Sequence, residues 1–216
     1  IMRYSPLSNI QLDTYSVIGF DMDGSLYDEE IFIRQVYGSI AKYLSDILSD
    51  SYEFIYSWMI ERWKEKGSSY PFIFSEVIEQ VGLKATEELI NDCLNIYRNF
   101  KPILRLNKNV EKFLNEISKE HQLFLITDGS FNLQKEKFNS LKLENWFREE
   151  NVVFTGKLGR EFYKPSIRAI EYIECLKNTT KPVLYFGDRN IDEQFALNAQ
   201  FDFVKVENFN YFWDVK

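Results

Sequence analysis

Two carboxylates stand together where a buried strand should end. Asp21 and Asp23 follow the apolar run 17–20 directly, and Gly24 offers a turn after them. Acidic side chains two residues apart at one strand end repel each other unless a nearby cation offsets their charge. A metal ion or a lysine would do so, and a functional pair therefore requires partners further along the chain.

Polar residues occupy comparable places in three later segments. They are Thr127 and Asp128 after the apolar run 123–126, Lys164 before Pro165, and Asp188 and Asp192 after the run 183–187. In open parallel sheets, ligands bind beyond the carboxyl ends of the strands. We therefore expect Asp21, Thr127 and Asp188 to meet at one edge of a sheet.

The rest of the chain supplies elements that would position these residues. Longer segments of helical periodicity separate five short β-rich runs, which are 17–20, 123–126, 151–154, 183–186 and 203–206. Pro165 marks the start of one further helix, because proline suits the first helical position and isoleucines follow at positions 167, 170 and 173. This alternation predicts an α/β fold with a mostly parallel sheet flanked by helices.

A long interval interrupts this alternation. About 100 residues separate the first predicted strand from the second, where one crossover helix would suffice. Four stretches of the interval have helical periodicity or helix start and stop signals, namely 32–48, 52–63, 74–81 and 86–100. We therefore expect an all-helical domain over residues 28–105, inserted into a core formed by residues 1–27 and 106–216.

Composition limits the classes of partner. The 216 residues are 45% hydrophobic, enough for a substantial core, and the formal net charge is -7. That charge and the lack of a basic cluster argue against nucleic acid or a membrane as the main partner.

Cys93 and Cys175 lie far apart in predicted helices, which favours a reducing compartment. With neither a signal peptide nor a membrane-length apolar run, we expect a cytoplasmic protein.

Four short motifs occur in order, and each lies at a predicted strand end or helix start. They are Asp21-x-Asp23-Gly24-Ser25, Thr127-Asp128-Gly129, Lys164-Pro165 and Gly187-Asp188-x-x-x-Asp192. In these motifs the chain resembles the haloacid dehalogenase (HAD) superfamily, and specifically its magnesium-dependent phosphatase branch with a helical cap between the first and second motifs. The resemblance covers nearly the whole chain and implies a Rossmann-like core. Tyr163 replaces the usual glycine before the lysine, and Ser25 replaces the commoner threonine.

The resemblance implies a role for each motif residue. Asp21 would be the nucleophile that forms an aspartyl-phosphate, which divides a difficult hydrolysis into two steps. Asp23 would protonate the leaving group and then take a proton from water. The Thr127 hydroxyl and the Asp128 backbone N–H would bind phosphate oxygens, and Lys164 would supply positive charge.

The resemblance also implies a Mg²⁺ cofactor. Magnesium prefers hard oxygen ligands, so an Asp21 oxygen, the Asp23 backbone carbonyl and an Asp188 oxygen form a suitable protein shell. Asp192 follows Asp188 by one helical turn. We expect it to orient the metal shell or Lys164 rather than to bind the metal directly.

These observations predict a magnesium-dependent phosphatase that hydrolyses a small organic phosphate monoester. Asp23 argues against dehalogenation, because a departing halide needs no proton. Two alternatives stay open. A phosphomutase would use the same aspartyl-phosphate, and a non-enzymatic signalling or scaffold domain would use the site only to hold magnesium or accept a phosphoryl group.

Overall fold

A computed structural model describes residues 3–4, 10–48 and 51–214 of the chain. It divides into two compact units, one formed by Ile1–Glu29 with Ile103–Lys216 and the other by Glu30–Pro102. The first unit contains the sheet and the second contains helices. The α/β class predicted from the sequence is therefore confirmed.

The sheet of the first unit has six strands in the described residues. They are β1 (Arg3–Tyr4), β2 (Val17–Phe20), β3 (Gln122–Thr127), β4 (Val152–Phe154), β5 (Val183–Gly187) and β6 (Asp202–Lys205). Their order is β1-β6-β5-β2-β3-β4, and every neighbouring pair is parallel. The five predicted runs correspond to β2–β6, whereas the two-residue β1 was not predicted.

The central position of β2 explains where the polar residues meet. Phe20, its last residue, pairs with Leu125 of β3 and with Phe186 of β5. The next residue, Asp21, therefore leaves the sheet between the ends of these two neighbours. All residues of β2 and β5 are buried, as expected for parallel strands that are covered on both faces.

Four α-helices belong to the sheet-containing unit in its described part. They are α5 (Lys108–Ile117), α6 (Phe131–Ser140), α7 (Asn190–Ala199) and α8 (Phe209–Asp214). In α5 the apolar residues Val110, Phe113, Leu114 and Ile117 are buried on one face. The helices α6 and α7 follow β3 and β5 directly, so their first turns lie at the strand ends that carry the motifs.

The prediction of an α-helix that begins at Pro165 is wrong. The Lys164–Pro165 peptide is cis, and short 3₁₀ helices occupy Arg168–Tyr172 and Glu174–Leu176. The three isoleucines recur every three residues, a spacing that fits a 3₁₀ helix as well as one face of an α-helix. The Cys175 backbone N–H also donates to Asn151 Oδ1 at 2.9 Å, which fixes this segment beside the start of β4.

The second unit is built from helices. They are α1 (Glu29–Leu48), whose first residue still belongs to the first unit, α2 (Tyr52–Lys66), α3 (Ile73–Gln80) and α4 (Glu87–Arg98). Ser51 and Thr86 cap the N-termini of α2 and α4 by accepting backbone N–H groups with their side-chain oxygens. Gly67 ends α2 with a φ of +75°, a conformation that suits glycine.

Two further features bear on the environment of the protein. Within the described ranges, no helix combines the length and the apolar character needed to cross a bilayer. Cys93 and Cys175 are free and buried. Burial raises the pKa of each thiol to about 12, so both behave as small apolar side chains.

Candidate active site

Lys164 occupies the centre of the candidate site. Its Nζ lies 2.6 Å from Asp21 Oδ1 and 2.6 Å from Asp192 Oδ1, and all three side chains are almost completely buried. Burial alone would lower the pKa of Lys164, but the carboxylates of Asp192 and Asp21 outweigh it and hold that pKa well above its usual value. Lys164 is therefore a permanent cation between two acidic groups.

Asp21 is held at the end of β2 by main-chain and side-chain contacts. Its backbone N–H donates to the Phe186 carbonyl at 2.8 Å, which continues the pairing with β5. One side-chain oxygen accepts from Lys164, but the other, Oδ2, is buried without a hydrogen-bond partner in the described structure. Burial, followed by repulsion from Asp192, raises the pKa of Asp21 well above its usual range.

Asp188 presents a second buried oxygen to the same place. Its Oδ1 also lacks a hydrogen-bond partner among the described residues. Burial and the nearby Asp192 raise the pKa of Asp188 to about 7. Carboxylate oxygens of Asp21, Asp188 and Asp192 lie within 4.8 Å of one another. Unpaired buried carboxylate oxygens are costly, and a divalent cation between them would offset that cost.

Asp192 differs from the other two acids because both of its oxygens are already bonded. Oδ1 accepts from Lys164, and Oδ2 accepts the Arg189 backbone N–H at 3.1 Å, at the start of α7. Burial would raise the pKa of Asp192, but Lys164 outweighs burial and lowers it. The open acceptors thus belong to Asp21 and Asp188, which fit a hard metal ion, while Asp192 orients Lys164.

Gly24 creates the space for Asp188. Its φ is +74°, and a Cβ at this position would stand 2.3 Å from Asp188 Oδ2. Any larger residue would be strained in the backbone and would push the carboxylate aside. The glycine of the first motif therefore shapes the acidic site.

Asp23 lies in a separate polar cluster formed with α6. Lys137 Nζ donates to Asp23 Oδ1 and Gln134 Nε2 donates to Asp23 Oδ2, each at 2.7 Å. The Tyr27 hydroxyl also donates to Oδ1. Burial would raise the pKa of Asp23, but Lys137, Tyr27 and Gln134 outweigh it and hold that pKa below its usual value. In this arrangement Asp23 is an ionised acceptor.

Sequence reasoning did not identify Gln134 and Lys137. Polar residues in an amphipathic segment are expected to face solvent, yet both side chains are buried. The one available signal was their spacing of three residues, which places them on one helix face directly after the Thr127 motif. A helical segment was expected between the second and third β-rich runs, but the bounds of α6 were not predicted.

The Thr127 motif supports both clusters. Thr127 is buried, and its Oγ1 accepts from Gln134 Nε2 at 2.6 Å, so its own hydrogen can be donated to a ligand. The Asp128 carboxylate accepts from the Thr155 hydroxyl at 2.6 Å and from the Lys164 backbone N–H at 3.2 Å. The Asp128 side chain therefore ties the end of β3 to the loop that carries Lys164.

All the motif residues are thus placed at one end of the sheet in two adjacent clusters. One contains Asp21, Lys164, Asp188 and Asp192. The other contains Asp23 and Thr127, joined through Gln134. The arrangement combines unpaired carboxylate oxygens, a buried ammonium group and a hydroxyl donor, which suits metal-assisted chemistry on an anionic group.

Comparison with known sequences and structures relates this arrangement to one family. The sequence profile of the haloacid dehalogenase-like hydrolases matches residues 18–206, which contain all four motifs. No curated protein sequence matches the chain.

Three solved structures share the fold at low identity. A HAD-superfamily hydrolase from Geobacter sulfurreducens has a TM-score of 0.63 at 14% identity, covering 89% of this chain and 87% of its own. A candidate β-phosphoglucomutase from Thermotoga maritima has a TM-score of 0.59 at 19% identity, with 89% and 95% covered. A 2-haloacid dehalogenase from Pseudomonas syringae has a TM-score of 0.53 at 17% identity, with 88% and 86% covered. Because these proteins carry different names for their activities, the fold alone does not define a reaction.

Proposed function

The chain belongs to the haloacid dehalogenase-like hydrolases, and from that premise we propose that it is a Mg²⁺-dependent phosphatase acting on a small organic phosphate monoester. The observation that carries the proposal is the state of Asp21. Lys164 holds one of its oxygens, while the other is buried and unpaired in the described structure. A carboxylate that Lys164 fixes through Oδ1, with Oδ2 left open to a metal ion, suits a nucleophile.

In the first step, Asp21 Oδ1, the oxygen that Lys164 holds, would form a bond to phosphorus as the bond to the ester oxygen breaks. Asp23 is ionised without substrate, so it would first take up a proton; it then gives that proton to the departing oxygen, which yields an alcohol and an aspartyl-phosphate. In the second step, water attacks phosphorus and Asp23 takes its proton. The phosphorus–oxygen bond to Asp21 breaks, and inorganic phosphate is released.

The surrounding residues would bind the phosphoryl group. The Thr127 hydroxyl can donate to one phosphate oxygen, because its oxygen already accepts from Gln134. The Asp128 backbone N–H is a second donor in this proposal. Lys164, held by Asp192, would keep its positive charge beside the reacting atoms and offset the charge of the phosphate.

Asp21, Asp188 and the Asp23 backbone carbonyl would hold Mg²⁺. The fit rests on the two buried carboxylate oxygens that have no hydrogen-bond partner in the described structure. When bound, Mg²⁺ neutralises negative charge on the phosphoryl oxygens. Asp192 would keep its hydrogen bond to Lys164 whether or not the ion is bound, so the lysine would remain oriented.

Asp23 distinguishes this proposal from dehalogenation. A halide leaves without a proton, whereas an alkoxide needs one. A carboxylate two residues after the nucleophile can donate that proton.

The phosphomutase is the second candidate. It would return the phosphoryl group from Asp21 to another hydroxyl group instead of to water, and fold similarity to a candidate β-phosphoglucomutase is compatible with it.

The test is phosphate release from a panel of sugar phosphates, nucleotides, phosphoglycolate and cofactor phosphates, with Mg²⁺ or with EDTA. We expect Mg²⁺-dependent release of one phosphate for each ester consumed. An isomerised phosphate ester with little free phosphate would identify a mutase. Purified, folded protein that releases no phosphate from any ester would contradict the proposal and favour a non-enzymatic magnesium-binding domain.

We also propose a cytoplasmic location. The two free and buried thiols suit a reducing compartment. Cell fractionation followed by detection of the chain tests this, and recovery from a secreted or periplasmic fraction would contradict it.

A further inference from the structure

We infer that Gln134 and Lys137 of α6 are positioning residues that aim Asp23 at the leaving group of the substrate. The inference rests on the proposed phosphatase function. Neither residue belongs to the four sequence motifs, and the hydrogen bonds of both reach Asp23. Their effect is therefore expected on one part of the reaction, the departure of the alcohol.

The contacts hold the Asp23 carboxylate at both of its oxygens. Lys137 and Tyr27 donate to Oδ1, and Gln134 donates to Oδ2. The hydrogen bonds from Lys137 and Gln134 to Asp23 are each 2.7 Å long. In the sequence, Lys137 is 114 residues from Asp23 and Gln134 is 111 residues from it. A carboxylate bound in this way by donors from two segments has a fixed direction.

The burial of Lys137 indicates that the contact has a purpose beyond packing. The Lys137 side chain is 3% exposed, against 17% for Asp23. Burying an ammonium group is costly even when it is paired, and a methionine of similar length would fill the same space at no such cost. The neighbouring Leu133 and Phe138 already provide the apolar contacts of this helix face.

Gln134 adds a second function, because its amide nitrogen bridges two groups of the site. It donates to Asp23 Oδ2 at 2.7 Å and to Thr127 Oγ1 at 2.6 Å. Thr127 is the proposed phosphate donor, so the bridge sets the position of the acid/base group relative to the bound phosphoryl group. A misplacement of about 1 Å at such a group can lower a rate about 100-fold.

This geometry predicts a dependence on the leaving group. Protonation matters little when the leaving group is a stable anion such as p-nitrophenolate, and it matters more for a less acidic alcohol such as phenol. Loss of Lys137 or Gln134 should therefore reduce the turnover of phenyl phosphate more than that of p-nitrophenyl phosphate. General acid catalysis contributes about 10²- to 10⁴-fold, so we expect the extra loss to be about 10-fold or more.

The experiment compares kcat/KM for p-nitrophenyl phosphate and phenyl phosphate at saturating Mg²⁺. The variants are Lys137→Met, which keeps the length but removes the charge, Lys137→Arg, which keeps the charge, and Gln134→Leu. The matched control is Lys135→Met, because Lys135 is exposed on the same helix. Circular dichroism and thermal unfolding establish that each variant is folded.

We expect Lys137→Met and Gln134→Leu to show the additional loss with phenyl phosphate, Lys137→Arg to recover part of it, and Lys135→Met to match the wild type. If Lys137→Met does not fold, Gln134→Leu provides the test, since it leaves the ion pair with Asp23 in place. Equal losses with both esters, or a gain with phenyl phosphate, would overturn the inference. Absence of Mg²⁺-dependent release by the wild type, from these esters and the whole panel, would instead contradict the proposed function itself.

Discussion

Lys164 Nζ lies 2.6 Å from Asp21 Oδ1, although the two residues are 143 positions apart in the sequence. The lysine side chain is 0% exposed and the aspartate 3%, so the ion pair is removed from water. The same ammonium group binds Asp192, and Asp188 brings a further carboxylate. Lys164, with the charge of Arg189 nearby, therefore faces three acids, and this excess of negative charge leads to the first two predictions.

Replacement of Lys164 by methionine is expected to destabilise the metal-free protein by about 3–5 kcal/mol, because buried carboxylates lose their cation. The double variant Lys164→Met/Asp192→Asn should recover part of that loss. The free energy of unfolding in urea, with EDTA present, measures both effects. Lys181→Met, at an exposed position before β5, is the control. A change below about 1 kcal/mol in Lys164→Met would show that the ion pair does not stabilise the fold.

Asp188→Asn is expected to have opposite effects with and without magnesium. In EDTA the variant should be more stable than the wild type, because a buried carboxylate with an unpaired oxygen becomes neutral. With Mg²⁺ at about 100 times its Kd, the wild type should gain about 2.7 kcal/mol, and the variant much less. Thermal unfolding measures the shifts, with Asp13→Asn as a control at an exposed acid. Equal magnesium-induced shifts in Asp188→Asn and the wild type would exclude Asp188 as a ligand.

Gly24→Ala is expected to weaken magnesium binding. The substitution places a Cβ 2.3 Å from Asp188 Oδ2 and also strains a residue whose φ is +74°. Gly67→Ala is a matched control, because its φ is +75° and no atom lies within 4 Å of the new Cβ. Backbone strain should lower the free energy of unfolding of both variants by similar amounts. Only Gly24→Ala should also reduce the magnesium-induced rise in Tm. Equal magnesium responses in the two variants would contradict the close approach to Asp188.

The positions of the motif residues could be predicted because two simple rules apply to them. Strands such as β2 and β5 are buried on both faces, so they appear as continuous apolar runs. The carboxyl ends of parallel strands lie at one edge, so residues that follow these runs meet. Asp21 and Thr127 could thus be placed from spacing alone.

Other features could not be predicted because tertiary contacts override the local pattern. Gln134 and Lys137 are polar residues on a helix, and only the position of Asp23 explains why they face inward. The segment after Pro165 has apolar residues at a spacing that fits two kinds of helix, and its hydrogen bond to Asn151 is a tertiary contact that the local sequence does not reveal. The two-residue strand β1 is too short to leave a sequence pattern.

Glu76 in the helical unit provides a prediction for pH. Arg62 donates to both of its carboxylate oxygens, at 2.7 and 2.9 Å, and these hydrogen bonds lower the pKa of Glu76 to about 2 from its usual 4.5. The pKa of Glu76 is lower in the folded state than in the unfolded state. The ionised carboxylate therefore stabilises the folded protein above about pH 4.5, and this stabilisation is lost as the pH falls through about 2.

The wild type should therefore be more stable than Glu76→Gln at pH 7, and the difference should shrink between pH 4.5 and 2. Urea unfolding at a series of pH values measures this difference. Glu79→Gln, at an exposed residue of the same helix, is the control. A Glu76→Gln effect that does not change with pH would show that the carboxylate charge is not its source.

The most direct test of the proposed activity is Mg²⁺-dependent phosphate release by wild-type protein and by Asp21→Asn, with Asp13→Asn as a control at an exposed acid. The substitution at position 21 removes the nucleophile, and circular dichroism shows whether the fold is kept. We predict that the wild type and Asp13→Asn release phosphate at similar rates and that folded Asp21→Asn releases none above background. Undiminished phosphate release by Asp21→Asn would contradict an aspartyl-phosphate mechanism at this site.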